Sequence, residues 1–218
     1  MFNLEKRDDE KLQAAFDKAM KELNVFYEID WVKNLPRVFI VKNRATIEAL
    51  WEQKSEPWQI GWSSSSGIYL LDQDMMTQES SHKRYNDEQY ATFIKHELSH
   101  SFSRVITKVG NKEILPKWIW EGLPVYTSDE YKMHEIPKEF SSFLKYYTQH
   151  DKNIYAESGY VVKLLVDVFG KDKLLNLLKR LREATSEQGF AKLFAEIYGI
   201  ELSYESINKL LKQTPGFI

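Results

Sequence analysis

The run His96-Glu97-Leu98-Ser99-His100 decides how the chain is read. It lies in a stretch of helical periodicity. A helix turns about 100° per residue, so positions four apart stack on one face. His96 and His100 therefore aim two imidazoles at one point, as a tetrahedral zinc site requires. Glu97 lies beside them, where a carboxylate takes a proton from water activated by the metal. Ala91, Ile94, Leu98, Phe102, Val105 and Val109 recur at spacings of three and four and form an apolar stripe. His96, His100, Ser103 and Thr107 form a second stripe roughly opposite. The expected helix is buried on one side and polar toward a cleft on the other.

Two histidines leave a tetrahedron incomplete, and a catalytic zinc usually has three protein ligands and one open position. Glu121 is the best third candidate, within Pro116-Lys-Trp-Ile-Trp-Glu-Gly-Leu-Pro124. Gly110-Asn111 reads as a helix stop, and Pro116 suits the first turn of a new helix. A carboxylate on an antiparallel neighbouring helix reaches the same metal. Trp118, Ile119, Trp120 and Leu123 around it argue against full exposure.

Together, His-Glu-Leu-Ser-His and Trp-Ile-Trp-Glu-Gly-Leu resemble the gluzincin metallopeptidases, most of all the small peptidase MA-like group. The resemblance spans roughly residues 61–198 and is specific at 96–100 and 116–123. It implies one zinc ion per chain on His96, His100 and Glu121, with Glu97 as general base. The lack of a third His soon after His100 separates the chain from the metzincins. Two departures stand out. Pro124 replaces a small helix former, so the ligand helix is expected to kink or start late. Val125 stands where many gluzincins have an acid that orients a zinc histidine; Asp129 or a backbone carbonyl is left for that task. The resemblance also implies a cleft-lining edge strand ahead of the zinc helix, read here as residues 67–71, along which a peptide or protein substrate lies extended. It implies an oxyanion donor from the C-terminal half as well. Tyr126, His134, His150, Tyr155 and Tyr160 are candidates, with Tyr155 first and Tyr160 second. No Gly-x-Met-x-Asn run marks an aminopeptidase, so cleavage within a chain is expected. The rival reading is a catalytically silent scaffold of the same kind that binds zinc or peptide.

Composition narrows the chemistry. The chain has 218 residues, enough for one domain or two small lobes with a real core. With no cysteine, its metal ligands are imidazole and carboxylate. A net charge of −2 gives no footprint for nucleic acid or an anionic membrane. The N-terminus has no apolar signal core, so a cytoplasmic protein is expected.

The expected class is α+β: an N-terminal lobe, residues 1–110, with a small mixed or antiparallel sheet and the zinc helix, then a mostly helical lobe, residues 111–218. Helices are expected at 4–23, 45–53, from Asp87, and at 138–149, 155–169, 171–184, 186–198 and 203–213. Strands are expected at 37–41 and within a 59–72 hairpin. Ser186 and Ser203 read as N-caps.

Overall fold

The computed structural model describes residues 5–108, 116–145, 154–214 and 217. It is α+β, as its patterning requires. Helix α1 (Glu10–Tyr27) is followed by β1 (Arg37–Val41), α2 (Arg44–Trp51), β2 (Gly61–Ser63), β3 (Gly67–Leu71) and a short α3 (Met76–Glu79). Then come α4 (Asp87–Thr107), α5 (Lys117–Thr127), α6 (Ile154–Phe169), α7 (Lys171–Arg180), α8 (Glu187–Tyr198) and α9 (Tyr204–Gln213). Side-chain oxygens of Asp9, Asn43, Asn86, Ser186 and Ser203 cap the helices they precede. Asp9 starts α1 later than residue 4. At α4, Asn86 and Gln89 cap reciprocally, which fixes where the long helix begins. It ends at Lys108, which is in the left-handed region at φ 51°. The stop read at Gly110-Asn111 and the side chain of His150 lie outside the described residues.

The sheet has the order β1-β3-β2, with β1 parallel and β2 antiparallel to β3. Strand 67–71 is therefore central and paired along both sides. This corrects the expectation that it forms the open edge; the edge nearest α4 is β2. Its register fixes which groups face outward. The carbonyl of Ile60 accepts from Leu71 N–H and Ser64 N–H donates to Gly67, so residues 60, 62 and 64 turn inward. Gly61 and Ser63 turn their peptide groups to the edge.

One core runs from Ala19 in α1 to Phe217 and joins the sheet, α4 and all the C-terminal helices. Around His96–Ser103, α4 is buried on every side, so it is a central helix and not a two-faced one. Below it the Tyr27 hydroxyl shares hydrogen bonds with Ser99 Oγ (2.7 Å) and Ser103 Oγ (3.1 Å), and Thr127 Oγ1 donates to Ser99 Oγ (2.8 Å). This buried network ties α1, α4 and α5 in one register. Val105 stays 42 % exposed, outside the apolar face assigned to it.

Helix α5 starts at Lys117 and runs through Pro124 to Thr127, so the proline does not delay it. It lies closely on α6. A Cβ on Gly122 would stand 2.5 Å from the Ser158 carbonyl oxygen, so only glycine permits this approach. Residues 138–145 form no helix, contrary to expectation. Buried side chains take their backbone groups instead. Glu157 accepts from Ser141 N–H and Ser142 N–H, and Asn208 pairs with both backbone groups of Phe140. Among the described residues no helix is long and apolar enough to cross a membrane.

Replacing Gly122 by Ala should cost about 1–3 kcal/mol through overpacking against backbone that cannot retreat. Urea denaturation measures this, and an unchanged midpoint would show that α5 and α6 slide apart freely.

Candidate metal centre

The helices α4 and α5 bring three chemically matched side chains together. One ligand atom from each of His96, His100 and Glu121 lies within 4.8 Å of the other two. His100 Nε2 and Glu121 Oε2 are 3.5 Å apart, and the two imidazole centroids are 5.1 Å apart. Donors around a tetrahedral zinc at ~2.1 Å sit about 3.4 Å from each other, so small side-chain adjustments close the site. The donor set, two imidazoles and one carboxylate, fits zinc. All three are at most 8 % exposed. Flat rings hold the imidazoles: Phe93 stacks on His96 and Trp120 on His100. Arg104 lies over Trp120 and donates to the carbonyl and hydroxyl of Ser63 at the end of β2.

A carboxylate that sequence reading missed completes the support. His96 Nδ1 is 2.5 Å from Glu130 Oε2. Such a bond fixes the ring and leaves Nε2 for the metal. Asp129, the expected partner, instead pairs with Lys132 at 2.8 Å and points away. The chain turns through the left-handed region at Asp129 (φ 68°), and a short 3-10 turn at Glu130–Met133 swings the next residue toward α4. The acid was one position further on than the spacing suggested, because the turn breaks the helical count. His100 Nδ1 has no hydrogen-bond partner among the described residues.

Electrostatics in the metal-free cluster follow from burial and crowding. Burial pushes His96 down, yet Glu130, Glu97 and Glu121 outweigh it and raise its pKa to about 9. Burial, reinforced by Glu121 and Glu130, lifts Glu97 to about 7. Burial lowers His100, against the pull of Glu121. Burial would raise Glu121 and Glu130 too, but the histidines beside them hold both below the usual carboxylate range. Glu97 makes no hydrogen bond among the described residues. Its Oε1 lies where a Cβ of Gly61 would fall, 2.5 Å away. The carboxylate is thus laid against the face of β2, and Gly61 makes the room.

The tyrosines differ in their surroundings. Tyr160, at 4 % exposure, donates its hydroxyl proton to the His134 carbonyl at 3.0 Å. Tyr126 packs between Phe26 and Tyr131. The Tyr155 ring sits against Trp58 and under Lys117. His134 Nε2 is buried, has no hydrogen-bond partner among the described residues, and lies 3.9 Å from Glu130 Oε1. Tyr85 flanks the cluster through Phe93, and burial together with Glu130 pushes it up to about 12.

Three outcomes are expected. Glu130→Gln should weaken metal affinity by about 10–100-fold, read by competition with a chelating dye. In the metal-free chain, the raised pKa of His96 stabilises the fold below its ordinary 6.5, and this is lost as pH rises through about 9. The raised Glu97 acts in the same direction: protonated in the fold, it costs stability as pH passes about 7. Chelated protein should therefore melt at a lower temperature at alkaline pH than at mildly acid pH. Zinc binding at neutral pH should release about one proton in calorimetry across buffers of different ionisation enthalpy. No proton release would mean that His96 is neutral in the metal-free fold.

Comparison with family models, with curated proteins and with solved structures finds no match for this chain. What stands from the geometry is a buried His-His-Glu group able to hold a metal ion.

Proposed function

We propose that this protein is a zinc-dependent peptidase of the gluzincin type, with His96, His100 and Glu121 as metal ligands and Glu97 as general base. The observation that carries this reading is the placement of Glu97. It is buried beside the ligand His96 in the chain, has no competing hydrogen bond among the described residues, and lies against Gly61 of the outer strand β2. A site that only clamps a metal has no use for such a carboxylate.

When bound, zinc supplies Lewis acidity, acidifying water and polarising a carbonyl. The chain's own residues do the rest. Glu97, lifted toward neutrality by burial, accepts a proton from the attacking water and returns it to the departing amine. Glu130 holds the His96 ring in one tautomer. The outward peptide groups of Gly61 and the N–H of Ser63 pair with an extended substrate, the role expected earlier of residues 67–71. Arg104 keeps Ser63 in place. We assign the oxyanion donor to His134 in place of Tyr155, because its Nε2 makes no hydrogen bond among the described residues and lies 3.9 Å from the ligand-supporting Glu130.

Glu97→Gln should keep zinc stoichiometry and lose hydrolysis of a mixed peptide library by about 10²–10⁴-fold. His134→Phe should lose about 10²–10³-fold, chiefly in kcat. Chelation should abolish wild-type cleavage. A metal-loaded Glu97→Gln protein as active as wild type would end the base assignment. A loaded wild-type protein that cleaves nothing would favour a scaffold.

A further inference from the structure

Helix α5 carries a charged residue that the metal centre does not use. Lys117 precedes Glu121 by four positions, so both side chains leave nearly the same face of the helix. Its backbone N–H donates to the Lys145 carbonyl at 2.7 Å, which fixes the first turn. Lys117 is only 9 % exposed. Lysine is rarely buried that far without a counter-charge. Among the described residues, however, its Nζ makes no hydrogen bond or ion pair. The group it meets is the Tyr155 ring, 5.7 Å away at the centroid. Tyr155 in turn meets Trp58 edge to face, with ring centroids 5.5 Å apart. Trp58 leads into the open strand, while Tyr155 opens α6. The two rings thus join the sheet side to the helical side, with the Lys117 ammonium over the Tyr155 ring.

We propose that Lys117, walled by Tyr155 and Trp58, is a specificity-determining residue that receives a substrate carboxylate close to the scissile bond. One turn of helix separates it from Glu121, about 6 Å of rise. This corresponds to about two residues of an extended peptide at ~3.3 Å each. The carboxylate comes either from an Asp or Glu side chain or from the C-terminus of the peptide. An ammonium held against an aromatic wall discriminates between a carboxylate and its neutral isostere, because the neutral form leaves the charge unpaired. The inference rests on the peptidase reading, and the test separates the two.

Peptides matched except for Glu against Gln, and for free acid against carboxamide at the C-terminus, are offered to the zinc-loaded chain. One carboxylate arm should be favoured by at least about tenfold in kcat/KM, and the favoured arm identifies the source. Lys117→Met should erase the preference, Lys117→Arg should keep most of it, and zinc stoichiometry is measured for each. In parallel, hydroxamate inhibitors with carboxylate or carboxamide tails are ranked by affinity, a readout that needs no turnover. Hydrolysis indifferent to both carboxylates overturns the subsite and leaves the peptidase standing. Absent hydrolysis with a Lys117-dependent preference for the carboxylate tail keeps the subsite and overturns the peptidase. A preference that survives Lys117→Met overturns the assignment to Lys117. Neither hydrolysis nor tail preference overturns both.

Discussion

The crossing of α4 and α5 is the constraint on which the rest of the molecule depends. It buries His96, Glu97, His100 and Glu121, and brings a ligand atom of each of His96, His100 and Glu121 within 4.8 Å of the other two. Ionisable groups in a dry interior are costly unless they are paired. Here the pairing is mutual and incomplete: carboxylates raise one imidazole, and burial together with them lifts Glu97 to about 7. A divalent cation resolves that conflict, since it neutralises the acids and takes the imidazoles in their neutral form. The electrostatic strain of the metal-free cluster and its capacity to hold a metal are therefore one property.

Holding such a cluster together requires a stiff frame, and the surrounding polar network and close packing provide it. Tyr27, Ser99, Ser103 and Thr127 satisfy one another beneath α4, so burying them carries little penalty. The glycine contact between α5 and α6 sets the depth of Glu121 from the other side. Stacked aromatic rings limit rotation of both imidazoles. Packing of this kind keeps the three potential ligand atoms close together.

Much of this was legible in the residues. The four-residue spacing of His96 and His100 forces a common face whatever the tertiary context. The aromatic neighbours of Glu121 correctly announced its burial, and the N-caps Ser186 and Ser203 correctly marked two helix starts. Other features were hidden because they depend on partners far along the chain. Periodicity in residues 138–145 suggested a helix, but Glu157 and Asn208 compete for the same backbone groups and win. Glu130 was missed because one left-handed residue, Asp129, resets the count along the chain. Gly61 gave no signal, since its value lies in where a carboxylate thirty-six positions later comes to rest.

The amino-acid sequence by itself determined the ligand types, the metal-friendly spacing on α4, the α+β class and most element boundaries, because these follow from local periodicity and from the chemistry of the side chains. Only the tertiary structure decided which strand is open, which acid steadies His96, how deeply Lys117 is buried and which tyrosine is already committed. Those depend on register, on helix approach and on competition for hydrogen bonds, and no short stretch of chain carries that information.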